Sequence, residues 1–121
     1  MKVGILIFDG VFDTGLSVFL DVLSTANEVA AMEGNPEAFE VRLTGMRPQV
    51  RSAMGLTTSV EPPDSVGRPA WIVAPAINAK QPQHLVAELQ RPDIREGVSR
   101  LRAWHGEGIN IAAACIGTFL L

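Results

Sequence analysis

A chain of 121 residues, 47% apolar and 19% charged, is one small domain with enough hydrocarbon for a core, which excludes a disordered chain and a coiled coil. Its net charge of −3 argues against a direct grip on nucleic acid or on an anionic membrane. The single cysteine excludes an internal disulfide and points to a reducing compartment, the cytoplasm, and no apolar run reaches the ~18 residues that span a membrane.

Val3-Gly4-Ile5-Leu6-Ile7-Phe8 is an unbroken apolar run ended by Asp9-Gly10. Such runs mark strands covered on both faces, as in parallel sheets. The run is short and lacks a small-residue cleavage site, so it reads as a strand rather than a signal peptide. From Gly15 the period changes. Leu16, Phe19, Leu20, Leu23 and Ala30 follow helical spacing, and Val18, Val22 and Val29 widen the apolar face. The pattern predicts a helix that buries most of its girth and ends near Gly34-Asn35-Pro36.

Phe39 to Gly45 alternates apolar and polar residues, as a strand near a sheet edge does. Arg47 to Val60, with Gly55 at its centre, reads as a hairpin or two short strands. Ala70-Trp71-Ile72-Val73-Ala74, stopped by Pro75, is a second continuous run and reads as a central strand. Pro82 and Pro92 each open a helix, with apolar faces at Leu85, Val86 and Leu89 and at Ile94, Val98, Leu101 and Trp104. Gly106 and Gly108 end the second, and Ile109 to Ala114 reads as a buried strand running into Cys115 and the start of a helix. Strands alternating with helices predict an α/β fold with a mainly parallel sheet. The last six residues carry no charge and no cap, so the chain is expected to be a piece of a longer protein, its sheet incomplete at the C-terminus. A tail packed across a partner subunit is the alternative.

Ala113-Ala114-Cys115-Ile116-Gly117 has the layout of a nucleophile elbow: small residue, any residue, nucleophile, any residue, glycine. A sharp strand-to-helix turn lifts one side chain into the crevice where α/β sheets bind ligands. The helix start behind the sulfur favours a thiolate. Asp13, and less so Asp9, lie after the first strand at the same carboxyl edge, where an acid can meet the sulfur or a ligand. The competing readings make Asp9-Gly10 a turn and Asp13 a helix cap. His105 precedes the last strand and so sits at the opposite pole from Cys115, and His84 reads as a solvated helix residue. Two such histidines do not make a metal site. The central strand ends in Ala74-Pro75 without the Asp of a phosphoacceptor receiver, and Asp9-Gly10-Val11-Phe12 is not a phosphate loop.

These segments together resemble the amidotransferase-like ThiJ/PfpI superfamily. The likeness lies in Val3 to Gly10, in Leu20-Asp21-Val22-Leu23 with Ala26-Asn27, in Trp71 to Pro75 and in Ala113 to Leu121. More narrowly, the chain is similar to the N-terminal domain of AraC-type transcriptional regulators of that superfamily, where the Cys-x-Gly-x-Phe-Leu-Leu stretch recurs. The resemblance implies a flavodoxin-like three-layer sandwich and a homodimer. It also implies a small-molecule ligand held around Cys115, Ile116, Asp13, Pro75 and Ala76, and no cofactor. DNA binding would then belong to a helix-turn-helix domain beyond residue 121. Ile116 stands where protease-like and glyoxalase-like members often carry His, and Ala76-Ile77 where many carry Gly-Gly. These departures point to a sensory domain. The alternative is a small cysteine enzyme, a hydratase, amidase or glyoxalase-like protein, with Cys115 and Asp13 as catalytic residues.

Overall fold

The opening run divides its side chains between two faces. In the computed structural model, which describes residues 1–121, the first strand β1 spans Lys2–Leu6. Leu6 and Phe8 point to one side of the sheet, and Ile5 and Ile7 to the other. Period-two alternation within a continuous apolar run is what a strand between two layers requires.

Helix α1 (Asp13–Met32) packs Leu16, Phe19, Leu20 and Leu23 over Ile5 and Ile7, and the chain returns as β2 (Glu40–Thr44). A short antiparallel hairpin follows, β3 (Gln49–Arg51) and β4 (Thr57–Ser59), then a 3-10 turn at Pro63–Val66 and β5 (Trp71–Ala74). Helices α2 (Pro82–Leu89) and α3 (Pro92–Gly106) lead to β6 (Asn110–Ala113) and a 3-10 segment at Cys115–Leu120. Both prolines stand at the first helical position, where a missing N–H costs nothing.

The main sheet has the order β2-β1-β5-β6 and every pair in it is parallel. Counting only its own strands, this is the 2-1-3-4 order of flavodoxin-like sheets. The larger core lies under α2 and α3, where Leu6, Phe8, Ile72 and Ala74 meet Ile94, Leu101 and Trp104. Arg100 covers that tryptophan, 4.8 Å from its ring centre. The smaller core lies under α1. The α/β class, the parallel sheet and the two covering layers agree with the sequence reading.

Two expectations need correction. No residue of α1 is buried: Val18, Val22 and Val29 turn away from the sheet and are exposed. One layer of helix on one sheet covers one face, so the apolar girth of α1 exceeds what the fold can hide. Similarly, β6 is a sheet edge rather than a buried strand. Ile111, Ala112 and Ala113 are half-covered and Asn110 is exposed.

Gly97 is the tightest point of the larger core. A Cβ there would run into the ring of Phe8, itself 2% exposed. Gly97→Ala should therefore lose about 1–3 kcal/mol in urea denaturation, and less in a Phe8→Leu background where the ring is gone.

Candidate functional site

In this strand order the switch point falls between β1 and β5, and ligands meet such sheets at the carboxyl ends of the strands there. Ile5, Val73 and Ala112 stand level across β1, β5 and β6. Phe8, Ala76 and Cys115 each stand two residues past the end of their strand.

Cys115 is the only non-glycine residue with a positive φ, +53°. Ala114 before it is still extended, and its N–H reaches the carbonyl of Ala74 at 3.1 Å. The left-handed region costs an L-residue about 1–2 kcal/mol, so the surroundings must impose it. Gly117 does so. A Cβ at Gly117 would stand 2.5 Å from the carbonyl oxygen of Ala74 and 2.8 Å from that of Pro75. Only glycine lets the 3-10 segment close onto the end of β5, and that closure bends the chain at Cys115. The bend is held by Gly117 N–H on the Ala114 carbonyl at 2.9 Å and by the Thr118 hydroxyl on the Cys115 carbonyl at 2.7 Å. The cysteine is left exposed. The elbow layout is thus present in the backbone, although the segment after it is a six-residue 3-10 coil rather than an α-helical start.

The turn after β5 meets the loop after β1. Val11 and Ile77 form an antiparallel bridge, with Phe12 N–H on the Ala76 carbonyl and Asn78 N–H on the Gly10 carbonyl, both 2.8 Å. The N–H groups of Ala76 and Ile77 have no backbone acceptor, although both residues are buried. Buried donors are nearly always paired, so two open ones at the level of Cys115 are the polar feature of this edge. Pro75 and Ala76 are buried and Ile116 is half-buried against the larger core. What these three offer a ligand is backbone and a little apolar surface.

Asp13 is the first residue of α1, and its side chain is committed. One carboxylate oxygen accepts from the Ser52 hydroxyl at 2.5 Å, and the other from the Met54 N–H at 3.0 Å. Ser52 in turn accepts from Leu56 N–H at 3.0 Å. Asp9 acts likewise, accepting from Arg51 N–H at 2.9 Å. The two acids hold the hairpin against the start of α1, and no hydrogen bond joins either of them to Cys115. Ser52 had no motif to mark it in the sequence. Only the fold brings it to Asp13.

Arg91, at the corner between α2 and α3, reaches the Asp9 carbonyl at 2.8 Å, grips both oxygens of Asp93 at 3.1 and 2.6 Å, and pairs with Glu88. Burial works against its charge, but the bonds to Asp93 and Glu88 outweigh it and its pKa is raised. His84 is exposed in the first turn of α2, and His105 lies in the last turn of α3 at the start of β6. A cavity of about 510 Å³ is also at that pole, between Leu101 and His105 of α3 and the free edge of β6. It exists because β6 has no outer neighbour, and Cys115 does not line it.

No protein-family model and no curated protein matches this sequence. Solved structures do match its fold. An AraC family transcriptional regulator from Pseudomonas putida superposes with a TM-score of 0.73 at 17% identity, over 98% of this chain and 67% of the other. Drosophila melanogaster DJ-1beta gives 0.68 at 16% identity, over 99% and 57%. A DJ-1 superfamily protein from Salmonella typhimurium gives 0.52 at 16%, over 93% and 54%. The chain therefore has the DJ-1/ThiJ/PfpI fold, and it spans between about half and two thirds of the length of these chains.

Two measurements check the site's construction. Cys115→Gly should relieve the left-handed backbone and raise the stability measured by urea denaturation by about 0.5–1 kcal/mol, whereas Cys115→Val should lower it by more than that. Asp13→Ala should release the hairpin, seen as deuterium exchange at the Met54 and Leu56 amides faster by about tenfold or more, with β5 protection unchanged.

Proposed function

We propose that this chain is the sensory domain of an AraC-type transcriptional regulator. It binds a small molecule at the carboxyl ends of β1, β5 and β6 and pairs with a second copy of itself. DNA contacts belong to a helix-turn-helix domain that follows it in the polypeptide. One observation carries the reading. The edge offers Cys115 on a strained elbow and the open N–H donors of Ala76 and Ile77, while the acids that would complete an acid–base set, Asp13 and Asp9, are spent on the hairpin. An open backbone donor and a thiol can hold a carboxylate or carbonyl oxygen without turning it over. The acidic balance of the domain fits a division of labour in which another domain grips DNA. The fold shared with the Pseudomonas putida regulator supports the same assignment.

The strained and exposed Cys115 also favours a second reading, a cysteine-dependent enzyme of the same fold, in which the elbow presents a nucleophile. Turnover separates the two. The sensory reading expects no hydrolysis or hydration of small amides or aldehydes by the purified chain. Such turnover, lost in Cys115→Ser, would establish the enzyme instead. In a thermal-shift screen of small carboxylates and amides, saturating ligand at about 100 Kd should add about 2.7 kcal/mol to the stability of the wild type. Cys115→Trp, which sets a bulky ring on the elbow, should abolish that shift.

A further inference from the structure

The sheet has a second free edge, β2, on the side away from β6. Toward β1 this strand uses Glu40, Arg42 and Thr44. The Glu40 N–H meets the Met1 carbonyl at 2.9 Å, and the Thr44 carbonyl receives Ile7 N–H at 3.0 Å. Backbone groups alternate sides along a parallel strand, so those of Phe39, Val41 and Leu43 face outward. Both ends of that outward row are closed. The Asn27 side chain of α1 stands in for a strand residue at Phe39, accepting its N–H at 2.8 Å and donating to its carbonyl at 2.7 Å. Glu61 closes the other end, with its N–H on the Leu43 carbonyl at 2.9 Å and its own carbonyl receiving Gly45 N–H at 3.2 Å. Between the two caps, the N–H and carbonyl of Val41 and the N–H of Leu43 have no partner in the chain.

A groove of about 410 Å³ lies along this gap. Leu20, Val41 and Leu43 give it an apolar floor, and Asp21, Ser24 and Glu37 a polar rim. The charge on that rim has one sign. Asp21 forms no ion pair, Glu37 receives only the Asn27 amide, and α1 carries no Lys or Arg. Arg42 lies on the other face of β2, paired with Glu40 and Glu61.

We propose that this edge takes a short extended segment of a partner polypeptide bearing Lys or Arg, added as an antiparallel strand. One residue of the segment exchanges both bonds with Val41, and the carbonyl two residues before it accepts from Leu43 N–H. The caps at Phe39 and Leu43 hold the added strand to about three residues. Its side chains on the α1 side lie over Leu20, where an aliphatic stem is covered while the cationic head reaches Asp21 or Glu37. The other free edge of this chain, Ile111-Ala112-Ala113, has no cation, so a second copy does not meet the charge of the groove.

Fluorescence anisotropy with a dye-labelled peptide of alternating lysine and valine, five residues long, tests this on the purified chain at about 0.15 M salt. Saturable binding is expected, with deuterium exchange at the Val41 and Leu43 amides slowed in the complex. The same peptide N-methylated at its second and third lysines should bind about tenfold or more weakly, and a glutamate–valine peptide should not bind. Asp21→Lys combined with Glu37→Lys should weaken binding about tenfold or more, whereas Glu28→Lys, on α1 outside the groove, should change it less than about twofold. Circular dichroism is expected to be unchanged in these variants, since all three acids are exposed. A basic peptide that fails to bind at millimolar concentration would overturn the proposal. So would binding that survives N-methylation, which is charge adhesion without an added strand. Slow exchange at Val41 and Leu43 in the free chain that is lost on dilution would give the edge to a second copy instead, and would overturn it as well.

Discussion

The candidate site rests on one close approach, that of Gly117 to the carbonyl oxygens of Ala74 and Pro75. Because no side chain intervenes there, the last segment folds down onto the end of β5. Because it folds down, the chain must bend at Cys115, and the bend is paid for in a left-handed cysteine. The same descent buries Leu120 in the larger core and leaves Phe119 exposed. Strain, exposure of the sulfur and closure of the core are thus three consequences of a single missing methyl group.

Two loops complete the edge, and each is held by backbone rather than by side chains. The loop after β1 and the turn after β5 are zipped together at Val11 and Ile77, where the Gly10 carbonyl accepts from Asn78 N–H and the Ala76 carbonyl from Phe12 N–H, and the N–H groups of Ala76 and Ile77 are left without a backbone acceptor. A Gly-Gly pair is therefore not needed to present donors at this turn. Side-chain identity at these positions decides how much room surrounds the donors, not whether they exist. The acids of the neighbouring loop serve a different purpose, since an aspartate that receives a serine hydroxyl and a backbone N–H is a tether.

Much of this was legible in the sequence. The runs at Val3–Phe8 and Ala70–Ala74 identify strands between two layers, the pair Pro82 and Pro92 marks the two helix starts, and Gly55 marks the hairpin, because each signal is local and has one physical meaning. What was not legible depends on neighbours distant in sequence. Periodicity shows that α1 is apolar on two sides but not that the sheet covers only one of them. The Ile109–Ala114 run reads as buried, yet its exposure depends on whether a strand stands beyond β6. The glycine after the cysteine signals an elbow. The pairing of Asp13 with Ser52, 39 residues apart, leaves no local mark at all.

The free side of β6 has a consequence for the protein's behaviour in solution. Ile111-Ala112-Ala113 has no proline, no lysine and no bulge to discourage company, and a row of backbone donors and acceptors faces outward beside an open apolar groove. Such a margin can accrete strands from any chain that presents one, and each addition creates a new margin of the same kind. Along Ile111–Ala113 the sheet is thus shaped to be continued by a further strand.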